Sequence, residues 1–145
     1  MTTQMLGAVV RLCNGVSPYD RYTIADIHRL FLPPIVCDQC WEFVSCGITA
    51  GFVSWALFDD ERAQAFLEQR PILPEDWRSG DQLWVIDWIA PHVPVAQMAQ
   101  MGRFLRAVWR ERYPDIDELY FTRSNQPQLM RSFNRKARIT DGQQR

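Results

Sequence analysis

A single lysine, Lys136, stands against 15 arginines in this 145-residue chain. The formal net charge of −1 gives neither the basic excess that binds nucleic-acid phosphates nor an acidic solvating tail. No apolar run approaches the roughly 18 residues of a membrane span, and no charged leader with an apolar core opens the chain. No nucleic acid, no membrane span and a cytoplasmic location are therefore expected. Histidine is scarce, at His28 and His92, and the four cysteines are Cys13, Cys37, Cys40 and Cys46. Cys37-Asp38-Gln39-Cys40 is a lone C-x-x-C with neither a second pair nor a well-spaced histidine, which argues against zinc. A redox pair would open a helix, whereas this one leads into a strand. The cysteines read as reduced and structural, and no metal is expected.

What is present is an ordinary globular chain, 47% hydrophobic and 23% charged. Its length suits one domain that buries roughly 70% of its unfolded surface. Arginine suits bidentate recognition of carboxylates and phosphates better than lysine does, although genome composition also explains the bias.

Met5 to Leu12 predicts a short helix or a strand-like lead-in. Ser17 reads as the N-cap and Pro18 as the first position of a helix. That helix places Ile24, Ile27, Leu30 and Phe31 on one face and stops at Pro33-Pro34. Trp41–Val44 and Phe52–Ala56 read as a hairpin around Gly47–Gly51. Asp59 or Asp60 caps a helix that runs to Arg70 and ends at Pro71. Leu83–Ile89 is a central strand. Met98, Met101, Gly102, Leu105, Val108 and Trp109 form the apolar stripe of a long helix, and Glu118–Thr122 resumes as a strand. This order predicts an α+β fold, one mixed sheet flanked by helices. The domain is expected over residues 1–123, followed by a polar, basic tail over 124–145.

The central strand carries a carboxylate, Asp87, inside an apolar, tryptophan-rich run. Burying a lone charge there costs several kcal/mol, so the acid must be paired, hydrogen-bonded or chemically employed. The run Trp77-x-Ser79-Gly80-Asp81-x-x-Trp84-x-Ile86-Asp87-Trp88-Ile89-Ala90-Pro91 resembles the signature of the RTX toxin-activating lysine acyltransferases, a divergent branch of the GNAT superfamily. Ser17-Pro18, Leu32-Pro33-x-Ile35, Val53-Ser54-Trp55-Ala56 and Pro74-Glu75-Asp76-Trp77 follow in the family's order, over about residues 12–125. The resemblance implies a single GNAT-like domain. Its reaction moves a fatty acyl group from acyl-carrier protein, the co-substrate, to a lysine ε-amine of a protein substrate. Asp87 matches the second catalytic residue, and Ser17 and Ser54 match recurring serines; with Trp88 they are candidate substrate-binding residues. Two positions depart from the pattern: Asp20 stands where the catalytic histidine is expected, and Leu30 where an asparagine is usual.

Acyl transfer to lysine needs a neutral amine, whose pKa is near ~10.4, and so a base. Histidine suits that task; Asp20, with an ordinary value near ~3.9, does so only if its surroundings lift it. Asp20 reads either as that base beside Asp87 or as an acid at a helix N-terminus, favoured by the dipole. His28 lies two turns along the same helix, roughly 12 Å away at 1.5 Å per residue, and is no replacement. His92, directly after the central strand, is either a substitute base or a loop residue.

Pro91-His92-Val93-Pro94-Val95 lacks the glycine-rich amides that hold a pyrophosphate, so no bound coenzyme A is expected. Arg103, Arg106 and Arg110 share one helix face and either dock an acidic carrier protein or form a solvated surface. Two functions stand: a lysine acyltransferase, or a silent relative that binds a protein as inhibitor, adaptor or assembly component. A homodimer remains open.

Overall fold

A computed structural model of the chain describes residues 2–123 and 126–134. The helices are α1 (Thr2–Cys13), α2 (Ile24–Val36), α3 (Asp60–Leu67) and α4 (Val95–Arg112). The strands are β1 (Cys40–Ser45), β2 (Ile48–Phe58), β3 (Gln82–Ile89), β4 (Glu118–Arg123) and β5 (Gln126–Asn134). Short 3-10 turns occupy Tyr19–Arg21 and Pro74–Trp77. The sheet runs β1-β2-β3-β4-β5, antiparallel except for β3 and β4. A parallel pair needs a crossover, and α4 supplies it. The fold is α+β, as expected, and its helix-flanked mixed sheet is consistent with a GNAT-like arrangement. The segment read as a basic tail contributes β5, which holds Arg131; Arg135, Lys136 and Arg138 lie outside the described residues.

One sheet face packs Val53, Trp55, Leu83 and Val85 against Leu105 and Trp109 of α4. The other carries two clusters. Phe52 and Ile89 meet Val9, Leu12 and Phe31 from α1 and α2, while Ala56, Phe58 and Trp84 meet Ala63 and Trp77. Burying these aromatic and branched residues is the main drive for the fold.

Several local expectations change. Ser17 does not cap α2. Thr23 does, accepting from the Asp26 amide while the Asp26 carboxylate accepts from the Thr23 amide, a complete capping box. Pro33 and Pro34 lie within α2 rather than ending it. Both sit in the last turn, where only the Arg29 and Leu30 carbonyls lose a donor, and Pro34 is buried in return. The hairpin turn is tighter than the glycine spacing suggested. Cys46 and Gly47 have φ of 52° and 75°, the paired left-handed conformation of a two-residue turn. Helix α3 ends at Leu67, before Arg70, and Gln69 turns back with φ 61°.

The buried side chain of Gln39 ties the layers together. Its amide donates to the carbonyls of Trp55 and Trp77, at 3.0 and 2.8 Å, and its oxygen accepts from Arg78 at 2.9 Å. The Trp77–Asp81 turn is locked alongside: the Gly80 amide donates to the Leu57 carbonyl at 3.0 Å, and Ser79 Oγ accepts from the Asp59 amide at 3.2 Å. A Cβ on Gly80 would lie 2.4 Å from the Asp59 nitrogen and 2.5 Å from the Phe58 carbonyl. Backbone cannot yield there as a flexible side chain can. Gly80→Ala is therefore expected to lower the unfolding free energy by about 1–3 kcal/mol. Urea denaturation measures it, and unchanged stability would contradict the close approach.

Candidate functional site

Asp87 reaches its site through an irregularity in β3. Ser54 pairs with Asp87 and Trp55 with Val85, so Ile86 is an extra residue, a β-bulge. Side chains alternate along a strand, and one inserted residue reverses the faces beyond it. Leu83 and Val85 face α4, but after the bulge Ile89 packs with Phe31 and Phe52 on the opposite face. Asp87 shares that face, beside Ser54 and Tyr19. A regular strand would have turned it towards α4.

The same stretch opens a gap in the sheet. Among the described residues, β3 pairs with β4 only through Leu83↔Leu119, Trp84↔Tyr120 and Val85↔Phe121. Beyond Val85 the strands part, leaving a cleft of about 780 Å³. That volume lies within the roughly 300–1,000 Å³ usual for small-molecule sites. Ser17, Tyr19 and Asp87 line it on one side, and Met98, Arg106 and Trp109 of α4 on the other.

Asp87 is only 7% exposed, yet it forms part of the cleft wall. Its Oδ1 accepts from the Tyr19 hydroxyl at 2.9 Å, and its Oδ2 from the Ser54 hydroxyl at 3.3 Å. Burial pushes its carboxyl up to about 6, while the two hydrogen bonds pull downwards and only partly offset it. The Tyr19 hydroxyl is raised, first by burial and then by the neighbouring Asp87 charge and bond. Burial also lifts the Cys13 thiol to about 12, with Asp87 adding to the effect, so that sulfur is a protonated core group.

The sequence-derived candidates scatter. Asp87 and Ser54 are in direct contact. Ser17 is exposed at the cleft rim, and Trp88, 36% exposed, lines the cleft. Asp20 follows Tyr19 in the 3-10 turn, but its side chain is exposed and outside the cleft lining. His92 is likewise exposed, in the turn before α4, and outside that lining. His28 is exposed on α2. Arg106 lines the cleft, whereas Arg103 and Arg110 are exposed on α4. Among the described residues no group of three His, Cys, Asp or Glu side chains is placed to hold a metal.

Sequence reasoning missed Tyr19. Its position between Pro18 and Asp20 was in view, but nothing local indicates contact with a strand 68 residues away. The Ser79-Gly80-Asp81 portion of the long motif belongs to the far end of β3. Asp87 lies five residues beyond Gln82, about 16 Å along an extended strand. That portion secures the turn and contributes no group to the cleft lining.

The perturbed acid has a stability consequence. Its ordinary value is 3.8, so the folded state binds the proton more tightly than the unfolded chain. That stabilising contribution is full below about pH 4 and is lost as pH rises through about 6. Above that range the fold carries the ionised, buried group at a cost of roughly 3 kcal/mol. Asp87→Asn is expected to gain stability over the parent by about 1–3 kcal/mol at pH 8, and by less at pH 4. Urea unfolding at the two pH values tests this; an equal difference at both would mean that the carboxyl is unperturbed.

The model of the RTX toxin acyltransferase family matches residues 1–131. Leukotoxin-activating lysine-acyltransferase LktC of Mannheimia haemolytica serotype A1 is 30% identical over 88 residues, 60% of this chain and 53% of that protein. Lysine-acyltransferase RtxC of Vibrio cholerae is 32% identical over 90 residues, 61% and 59% of the two chains. Protein-lysine myristoyltransferase RtxC of Kingella kingae is 30% identical over 87 residues, 59% and 52%. The chain thus spans about half the length of the curated relatives it matches. With the family model covering all but the last 14 residues, the chain belongs to the RTX toxin acyltransferase family.

Proposed function

We propose that this chain transfers an acyl group from a thioester, carried by acyl-carrier protein in the cytoplasm, to a lysine ε-amine of a protein substrate. Asp87 is the base. The observation that carries the reading is a carboxyl tuned up to about 6 inside the wall of an open cleft. A base works best when its pKa lies near the working pH. At neutral pH this carboxyl is ionised, and it holds a proton more readily than an exposed aspartate does.

The incoming ammonium gives one proton to Asp87. The freed nitrogen attacks the thioester carbon, and the tetrahedral oxyanion collapses with cleavage of the carbon–sulfur bond. The leaving sulfur takes the proton from Asp87, and the amide nitrogen loses its second proton to solvent. Products are the acylated lysine, the free thiol and one proton. Tyr19 and Ser54 hold the carboxylate in place through its two oxygens. The acyl chain occupies the apolar side of the cleft, along Met98 and Trp109. Arg106, also in that wall, is suited to anionic groups of the donor.

A second reading draws on Asp20 and His92, both exposed and outside the cleft lining. With the expected histidine replaced, the fold serves as a protein-binding module without chemistry. The two readings separate in one assay: the chain, acyl-loaded carrier protein and lysine-containing protein substrates, with acylated lysine read by mass spectrometry. The acyltransferase reading expects product, an Asp87→Ala loss of about 10²–10⁴-fold, and a rate that rises with pH through about 6. Tyr19→Phe is expected to shift that pH profile while preserving some turnover. Absence of transfer, together with stoichiometric capture of a partner, favours the binding module.

A further inference from the structure

Glycine inside a helix is unfavourable relative to alanine, and a left-handed φ or a close backbone approach is the usual reason for one. Neither applies at Gly102, in the middle of α4. Its φ lies outside the left-handed region, and an added Cβ would meet nothing within 4 Å. Gly51 and Gly80 differ, since a Cβ on either would meet neighbours at 3.4 Å or less. Gly102 lines the cleft, on the helix face it shares with Met98 and Arg106 one turn to either side. The empty space beside it is therefore cleft.

We infer that Gly102, by leaving this wall bare, sets the longest acyl chain that the cleft accepts. The inference rests on the acyltransferase reading above. Asp87 faces Tyr19 and Ser54, on the sheet face opposite α4, so a carbonyl held at Asp87 leads its chain through the gap between β3 and β4. The distal methylenes, and not the reacting carbon, then pass Gly102. Apolar neighbours at Met98, Trp109, Leu119 and Phe121 suit an unbranched aliphatic chain. A side chain at position 102 fills the distal space and leaves the carbonyl end untouched.

The full chain is titrated with bromine-labelled octanoic and stearic acids, and quenching of tryptophan fluorescence from Trp88 and Trp109 reports occupancy. The parent is expected to bind both. Gly102→Leu should keep octanoic acid within about twofold and lose stearic acid by about tenfold or more. Gly102→Ala should show a smaller loss in the same direction and a Tm higher by about 2–4 °C; it serves if the leucine variant does not fold. If the leucine variant binds both acids like the parent, the role of Gly102 is overturned while the cleft stands. If it folds but loses both acids equally, the chain-length role is overturned. If the parent binds neither, the cleft itself is not an acyl site and the broader reading fails with it.

Discussion

A carboxylate taken out of water demands compensating donors, and the hydrogen bonds at Asp87 organise the chain around it. The two donors come from distant places: Tyr19 from the turn after α1, and Ser54 from β2. Each bond requires its element to be seated correctly, so the acid reports the packing of α1, α2 and β2 on β3. The compensation is incomplete, because desolvation outweighs the two bonds and the carboxyl stays raised. A fully satisfied aspartate would be a stronger acid, but a poorer base near neutral pH. The uncompensated part of that burial is what holds the carboxyl above its ordinary range, the property on which the proposed role as base rests.

The bulge at Ile86 does two things at once. It reverses the face on which Asp87 projects, and it bends β3 where pairing with β4 ends. A chain without it could retain every apolar residue of the core and still turn the acid towards α4, away from the Tyr19 and Ser54 hydroxyls. The cleft is thus a property of strand geometry rather than of a loop. Its walls are two strands, β3 and β4, the helix α4 and the turn after α1, which favours a preformed site. The opposite end of β3 has the complementary duty. Gln39, Ser79 and Gly80 bind the end of β2 to the Trp77 turn and hold the strand in register.

Much of this was legible in the sequence because periodicity reports burial. The α4 stripe, the hairpin and the central strand follow from apolar spacing, and Asp87 stood out as a charge in an apolar run. The errors share a cause: tertiary contact overrode a local signal. Pro33-Pro34 normally stops a helix, but Pro34 is buried in the core and the helix runs to Val36. Ser17-Pro18 has the form of a helix start, yet the capping box belongs to Thr23 and Asp26. Tyr19 was invisible because its importance lies entirely in a contact 68 residues away. Asp20, which the motif singled out, has its side chain exposed in the same turn.

That inversion bears on how many acids the site needs. With Asp20 in solvent, a shared proton between two carboxylates is not required to explain the raised value of Asp87; burial alone dominates it. Tyr19 donates to the carboxylate, so it stabilises the ionised form and limits the rise. One buried acid, one phenol and one serine then form a unit in which the carboxyl is tuned by the difference between desolvation and two donors. In the proposed reaction, Asp20 at the position where the resemblance implies a histidine leaves in place the carboxyl group that lines the cleft. In the reaction proposed above, the burial of Asp87, rather than the identity of residue 20, sets the basicity offered to the cleft.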